Sequence, residues 1–169
     1  MTFIEDFPDY CETLTDAPRI YKEESAFDVL SSIIGRRIYL QWGEDRIYPN
    51  IYKIYIGKST SYRKSTIQKI QKRFVENVIG FNSLLANRFS YEGLIAFIEK
   101  QSHVISYFDE FANLYEVLIK NYTLSPEAFL TEVFDCPDLK REGALVSKDI
   151  VLKDVFINII GATTESWLL

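Results

Sequence analysis

The residues from Asn50 to Phe74 read NIYKIYIGKSTSYRKSTIQKIQKRF. The run 51–56 is rich in isoleucine and tyrosine, which predicts a β-strand. From Lys64 onward apolar residues recur at helical spacing, which predicts an amphipathic helix over 64–81. The loop between the two contains Gly57 and ends in a Lys-Ser-Thr triplet. Such a loop either binds a phosphate group or is only a polar turn. Further signals elsewhere in the sequence are needed to distinguish the two.

The loop matches the usual phosphate-binding pattern, G-x-x-x-x-G-K-[ST], imperfectly. Six residues separate Gly57 from Lys64, one more than the pattern allows, and Arg63 stands where a second glycine is expected. In a phosphate-binding loop Lys64 would reach the β- and γ-phosphates and Ser65 would hold Mg²⁺, with Thr66 supporting the helix start. In a polar turn the same residues are a hydroxyl-rich helix start with two solvated bases.

A second signal is the apolar run VISYF (104–108), which is followed by Asp109 and Glu110. In P-loop ATPases an aspartate in this place holds the Mg²⁺ shell, and the adjacent glutamate polarises the attacking water. Open α/β sheets bind their ligands at the carboxyl ends of strands, where this pair is expected. The alternative is that Asp109 caps the next helix and Glu110 lies in its first turn.

A third signal is VFINIIGATT (155–164), a nearly all-apolar run that ends in two threonines. Its first part predicts a central parallel strand that is covered on both faces. In many ATPases a polar residue at the end of the strand beside the acidic one contacts the γ-phosphate or the attacking water, and Thr163 and Thr164 are the candidates here. Thr164 is also a candidate cap for a helix that begins at Glu165.

The remaining pattern predicts an α/β fold with a mostly parallel sheet flanked by helices. Residues 1–20 read as an irregular lead-in with two prolines, and Lys22–Gly35 as a helix that stops at the glycine. Residues 36–42 predict a short strand, and 144–154 a short strand or hairpin. Helices are expected after Ser90, over 111–122 and after Ser125. We therefore expect a helical lead-in and short strand over 1–45, packed on a core over 46–169.

Composition excludes several classes of protein. The formal net charge of −5 argues against a strongly basic nucleic-acid coat, and no apolar run is long enough for a membrane span. The acidic start does not resemble a secretory signal. Cys11 and Cys136 lie far apart, which favours free buried thiols in a reducing cytoplasm. A single histidine, His103, excludes multi-histidine zinc sites.

Seven segments resemble a family of phage, plasmid and bacterial P-loop ATPases that is often described as a domain of unknown function. Its members are linked with primase or helicase proteins of mobile elements. The segments are TDAP (15–18), LSSIIGRRIYL (30–40), YPNIYKIYIGKSTSYRKST (48–66), FSYEGLIAFIEK (89–100), FDEFANL (108–114), VFDCPDLKREG (133–143) and IIGATTESWL (159–168). Together they extend over most of the chain.

The resemblance implies a RecA-like P-loop NTPase fold, binding of ATP and Mg²⁺, and hydrolysis coupled to work on DNA. The family's loop is similar to G-x-S-x-x-x-R-K-[ST]-T, so the longer loop and its arginine are family features. The matching residues are Gly57, Ser59, Arg63, Lys64, Ser65 and Thr66. By the same likeness Lys64 and Ser65 take the phosphate and metal roles, and Asp109 and Glu110 form the acidic pair.

The resemblance also implies an assembly, either a homo-oligomer or a larger primase–helicase complex. Members continue beyond the strand that ends in Gly-Ala-Thr-Thr, whereas this sequence stops at Leu169, so 46–169 is expected to be a partial core. The alternatives are a non-hydrolysing nucleotide switch, a truncated inactive remnant and, with less support, a small-molecule phosphotransferase.

Two basic features have open alternatives. Arg141 is either an arginine finger for a neighbouring subunit or a local partner of Glu142 or Asp138. The basic face of Lys69, Lys72 and Arg73 either contacts DNA phosphates or is a solvated helix face.

Overall fold

The computed structural model describes residues 2–58, 62–119, 125–142 and 150–168. Within them the helices are α1 (Phe3–Glu12), α2 (Arg19–Ile34), α3 (Lys64–Ile79), α4 (Tyr91–Lys100), α5 (Ala112–Leu118), α6 (Pro126–Phe134) and α7 (Glu165–Leu168). The strands are β1 (Leu40–Trp42), β2 (Asp45–Ile47), β3 (Tyr52–Ile56), β4 (Leu84–Leu85), β5 (His103–Phe108), β6 (Leu139–Glu142), β7 (Ile150–Lys153) and β8 (Phe156–Thr163).

Four of these strands form a parallel sheet in the order β3-β8-β5-β4. Ile56 pairs with Thr163, and Phe108 pairs with Gly161. The carboxyl ends of β3, β8 and β5 therefore lie side by side along one edge. The predicted α/β fold with a parallel sheet and flanking helices is confirmed at this level.

Strand β8 lies in the middle of the sheet and is buried along its whole length. Successive side chains of a strand point to opposite faces. Ile157 and Ile159 belong to a core cluster with α4, α5 and α6, whereas Ile160 and Ala162 belong to a second cluster with α1, α2 and α3. The prediction that this run is a central strand covered on both faces is confirmed.

One polar side chain in β8, Asn158, is fully buried and joins three elements. Its oxygen accepts a hydrogen bond from the backbone N–H of Ile51 at 2.7 Å. Its nitrogen donates to the hydroxyls of Ser31 at 2.8 Å and Ser32 at 3.1 Å on α2. Because buried polar atoms without partners cost free energy, this amide favours one placement of α2 against the entry to β3.

Three expected helix boundaries agree with the structure, whereas α2 begins at Arg19 instead of Lys22 and α3 ends at Ile79 instead of Phe81. Gly35 follows α2 with φ +57°, a left-handed conformation that favours glycine. The hydroxyl oxygens of Ser90 and Ser125 accept backbone hydrogen bonds from Gly93 and Ala128, so both serines cap their helices as predicted.

The prediction of an irregular lead-in over 1–20 was wrong, because residues 3–12 form α1. The Glu5 carboxylate accepts a hydrogen bond from the backbone N–H of Thr2 at 2.8 Å, which stabilises the first turn. Pro8 lies inside the helix, where it removes one backbone donor. Phe7 packs on Phe74 of α3 with ring centroids 5.3 Å apart, and this burial compensates for the lost hydrogen bond.

The strand expected over 36–42 is shorter and lies outside the main sheet. Only 40–42 is extended, and it pairs with β2 in a two-stranded antiparallel ribbon. Arg36 instead lies in a 3₁₀ turn, where its guanidinium pairs with Asp138 and donates to Tyr48 at 3.1 Å. These contacts hold the chain away from the sheet, so the β-prone run starts late.

The later predictions are confirmed in part. Strand β7 pairs with β6 in an antiparallel hairpin, and residues 144–149 of the predicted segment lie outside the described residues. Helix α5 ends at Leu118, and the end of its predicted range, 120–122, lies outside them as well. Both cysteines are buried and free, as expected. None of the helices in the described ranges combines the length and apolarity that crossing a membrane requires.

Candidate functional site

A cavity of about 650 Å³ lies where β5 and β8 end beside the first turn of α3. We call it the strand-end cavity. Its lining residues are Arg63, Lys64, Ser65, Thr66, Lys69, Asp109, Glu110, Ala112, Ala162, Thr163, Thr164 and Trp167. The lysine, the hydroxyls and the acidic pair named from the sequence therefore meet around one space.

Arg63 precedes α3 with φ 49° and ψ 30°, which is the left-handed region. Residues other than glycine rarely adopt this backbone conformation, because their Cβ crowds the following carbonyl oxygen. The position where a phosphate-binding loop normally has its second glycine thus keeps a glycine-like backbone despite the arginine. The Arg63 guanidinium pairs with Asp16 at 3.0 Å, and both side chains are exposed.

The Lys64 ammonium lies between the end of β3 and the cavity. It donates hydrogen bonds to the carbonyl oxygens of Gly57 and, at 3.2 Å, of Lys58. Partial burial lowers the pKa of Lys64, and the Glu165 carboxylate acts in the opposite direction. The positive charge of Lys64 therefore lies at the start of the loop, beside Gly57 and Lys58.

Gly57 is buried at the end of β3, and its backbone N–H donates to the carbonyl of Thr163 at 3.3 Å. A Cβ at this position would lie 2.7 Å from the Tyr21 hydroxyl and 3.1 Å from the ring of Tyr62. The Tyr21 hydroxyl donates to the carbonyl of Ile56 at 2.5 Å. This close packing accounts for a residue without a side chain at position 57, independently of any phosphate binding. Ser59, the other loop residue named from the sequence, lies outside the described residues.

Asp109 and Glu110 directly follow β5, and both are exposed. The side-chain nitrogen of Asn87 lies 3.5 Å from a carboxylate oxygen of Asp109, at the limit of a hydrogen bond. Helix α5 begins only at Ala112, so neither acid lies in its first turn, in contrast to the alternative prediction for Glu110.

Gln68 is a site-positioning residue that the sequence pattern did not identify. It is buried one turn after Lys64, and its amide donates to the carbonyls of Phe108 at 3.3 Å and Ile160 at 3.2 Å. These bonds tie α3 to the ends of β5 and β8. A glutamine on the apolar face of an amphipathic helix is the signal that could have indicated this role.

The end of β8 brings both threonines to the cavity. Thr163 is buried, and Thr164 lies directly before α7, where its hydroxyl is 3.1 Å from that of Ser166. Thr164 thus lines the cavity and lies directly before α7. The ring of Trp167 contacts Phe111 and Tyr115, with centroids 5.5 and 5.2 Å apart.

The other basic residues named from the sequence lie outside the strand-end cavity or at its border. Arg141 is exposed on β6, not in a loop, and Asp138 pairs with Arg36. Lys69 lines the strand-end cavity, whereas Lys72 does not. His103 packs against Gly35 and against the Phe156 ring, and burial lowers its pKa.

Comparisons with known proteins leave the family open. No protein-family model, no curated protein and no solved structure matches the chain. The resemblance to the P-loop ATPases of mobile elements accordingly stays a prediction. The fold and the strand-end cavity are the observations from which a function has to be inferred.

Proposed function

We propose that this chain binds ATP with Mg²⁺ in the strand-end cavity and hydrolyses the terminal phosphate. The observation that supports this best is the meeting of Lys64 and Ser65 with Asp109 and Glu110 in one cavity. These pairs lie on different elements, the start of α3 and the end of β5. A polar turn and a capping aspartate would have no reason to face each other across a concave space.

The proposed phosphate contacts come from the start of α3. The N-terminus of a 16-residue helix presents a positive partial charge, which favours a phosphate group there. The Lys64 ammonium exchanges its loop carbonyl partners for oxygens of the β- and γ-phosphates and stabilises the charge that develops between them. Arg63 adds positive charge at the same entrance.

The residues present fit Mg²⁺. This hard cation prefers oxygen ligands, and it takes one or two from the protein and the others from phosphate and water. The Ser65 hydroxyl would be one such ligand, and the Asp109 carboxylate would hold a water molecule that is bound to the ion. Among the described residues no group of three or more His, Cys, Asp or Glu side chains is placed to hold a metal ion. When bound, Mg²⁺ neutralises charge on the β- and γ-phosphates.

The proposed chemistry depends on two further positions. Glu110 orients the attacking water and accepts its proton, since its exposed carboxylate lines the cavity next to Asp109. The hydroxyls of Thr163 and Thr164 donate to the γ-phosphate, because these residues lie at the carboxyl end of β8, between β3 and β5. Both roles place the terminal phosphate between the ends of β5 and β8.

The biological setting is supported only by the motif resemblance. It favours a replication-associated, helicase-like ATPase of a phage, plasmid or other mobile element, with DNA as a partner and an oligomer or primase–helicase complex as the working form. A chain that binds ATP without turnover would instead act as a nucleotide-dependent switch.

The central test is equilibrium binding of a fluorescent ATP analogue in the presence of Mg²⁺. Lys64→Ala removes a charge-assisted contact, and we expect its affinity to fall about 10-fold or more. Lys72→Ala is the matched control, since it removes a lysine from the same helix outside the cavity. Equal affinities for the wild type and Lys64→Ala would remove the proposal.

Steady-state hydrolysis then separates an ATPase from a switch. In Glu110→Gln we expect binding to persist and turnover to be lost, whereas Glu116→Gln, an exposed change on α5, should leave both intact. Tight binding with negligible turnover in the wild type would support the switch. Stimulation of turnover by single-stranded DNA would support the helicase-like role.

A further inference from the structure

A groove of about 370 Å³ runs between α1 and α3 and adjoins the strand-end cavity. We call it the α1–α3 groove. It shares two lining residues, Thr66 and Lys69, with the strand-end cavity. The two spaces are therefore neighbours along the surface of α3, and one extended molecule is able to occupy both.

The acids follow β5 and the threonines lie at the end of β8, which is where the proposal above places the terminal phosphate. Thr66 and Lys69 line both spaces, so a nucleotide that extends from the strand-end cavity into the groove passes these two residues. From Thr66 to Arg73 the helix rises about 10 Å, which is close to the span of a nucleoside from its α-phosphate to the far edge of its base.

The groove has the surface that a flat aromatic base requires. Tyr10 and Leu14 form the α1 side and are 50% and 49% exposed, although both are large and apolar. Ile70 and Phe74 on α3 are partly buried in the core and add apolar surface. Stacking on an aromatic ring is a common source of affinity for a base.

Polar groups lie at the α3 side of the same groove. Asn77 lies about 16 Å along α3 from Thr66, which is beyond the reach of a nucleoside whose α-phosphate lies at Thr66, so it marks the far end of the groove. Arg73 and Lys69 lie along the same helix between Asn77 and the strand-end cavity, where they face a ribose or an α-phosphate. Trp167, an exposed aromatic residue of the strand-end cavity, contacts the rings of Phe111 and Tyr115, whereas Tyr10 contacts only the Phe7 ring among the described ring pairs.

We propose that the α1–α3 groove is the base subsite of the nucleotide, with the adenine ring stacked on Tyr10. This inference rests on the proposed function, because it takes the phosphates to lie in the strand-end cavity. In this arrangement α1, rather than a loop of the core, distinguishes a nucleotide from a polyphosphate that has no base.

The test compares two Mg²⁺-bound ligands, ATP and inorganic triphosphate, by calorimetry. Tyr10→Ala should weaken ATP binding about fivefold or more, as expected for the loss of one base–aromatic stack, and leave triphosphate binding unchanged. Tyr10→Phe keeps the ring and should keep the affinity. Tyr39→Ala is the matched control, because it removes a similarly exposed tyrosine that directly precedes β1.

Lys64→Ala distinguishes this inference from the proposed function, because it should weaken both ligands. If Lys64→Ala weakens both while Tyr10→Ala and Leu14→Ala change neither, the base subsite is refuted and the phosphate site stands. If Trp167→Ala selectively weakens ATP and Tyr10→Ala does not, the base lies beside Trp167 in the strand-end cavity and the inference is also refuted. A Tyr10→Ala effect on single-stranded DNA binding alone would refute it in favour of a nucleic-acid groove.

Discussion

The glycine at the end of β3 has two candidate explanations, which are its close packing against Tyr21 and the proposed phosphate loop. Substitution of Gly57 by alanine separates them. The added Cβ would lie 2.7 Å from the Tyr21 hydroxyl, a distance that real Cβ atoms do not adopt. Tyr21 must then move and give up its hydrogen bond to the Ile56 carbonyl. Overpacking costs about 1–3 kcal/mol and the hydrogen bond about 0.5–1.5 kcal/mol, so we expect Gly57→Ala to lower the free energy of unfolding by about 2–4 kcal/mol.

The hydroxyl of Tyr21 is the group that collides, so its removal should rescue the alanine variant. Tyr21→Phe alone should cost about 0.5–1.5 kcal/mol, the value of the lost hydrogen bond. The double variant should be more stable than the sum of the two changes predicts, by about 1–2 kcal/mol. The assay is urea unfolding of the wild type, both single variants and the double variant, followed by tryptophan fluorescence.

Additive losses in this cycle would refute the close-packing explanation of Gly57. Nucleotide binding by the double variant then addresses the second reason. If ATP affinity returns together with stability, the glycine serves the packing of Tyr21. If stability returns and affinity does not, the absence of a side chain at Gly57 is required by the phosphate loop itself.

Three further predictions concern stability. Asn158→Ala removes three buried hydrogen bonds and should cost about 3 kcal/mol in urea unfolding, and an unchanged midpoint would show that the amide contributes nothing. Arg63→Gly should be about 1 kcal/mol more stable than Arg63→Ala, since both lose the charge and only glycine relieves the left-handed backbone, so equal stabilities would contradict the strain. Burial lowers the pKa of His103, so as the pH falls the unfolded chain binds a proton at this residue before the folded chain does. Stability should therefore fall between pH 7 and 5.5, and His103→Gln should show a shallower fall.

Local sequence pattern specifies much of the core around the site. The β-prone run before Gly57, the helical spacing after Lys64 and the apolar run before Thr163 each indicate their element from a few neighbouring residues. Serine caps at Ser90 and Ser125 mark helix starts by hydrogen bonds within one turn. These elements are predictable because the interactions that form them are short in sequence.

Sequence pattern failed where a distant contact reverses a local preference. Pro8 predicts a broken lead-in, yet α1 forms because Phe7 is buried against Phe74 of α3. Arg36 lies in a β-prone run, yet its contacts with Asp138 and Tyr48 hold it in a turn. In both cases the partner lies on another element, so no window of neighbouring residues contains the deciding interaction.

The order of the strands is the feature on which the candidate site depends most, and tertiary structure alone decides it. The sequence supplies a lysine after one strand and two acids after another, but it does not say that β8 lies between them. That order follows from the burial of β8 on both faces and from Asn158, which joins it to α2 and the entry of β3. Because parallel strands end at one edge, the pairing of β8 with both β3 and β5 brings the chemical groups together. Residue types and spacing therefore specify the parts of the site, and the packing of a single central strand specifies their meeting.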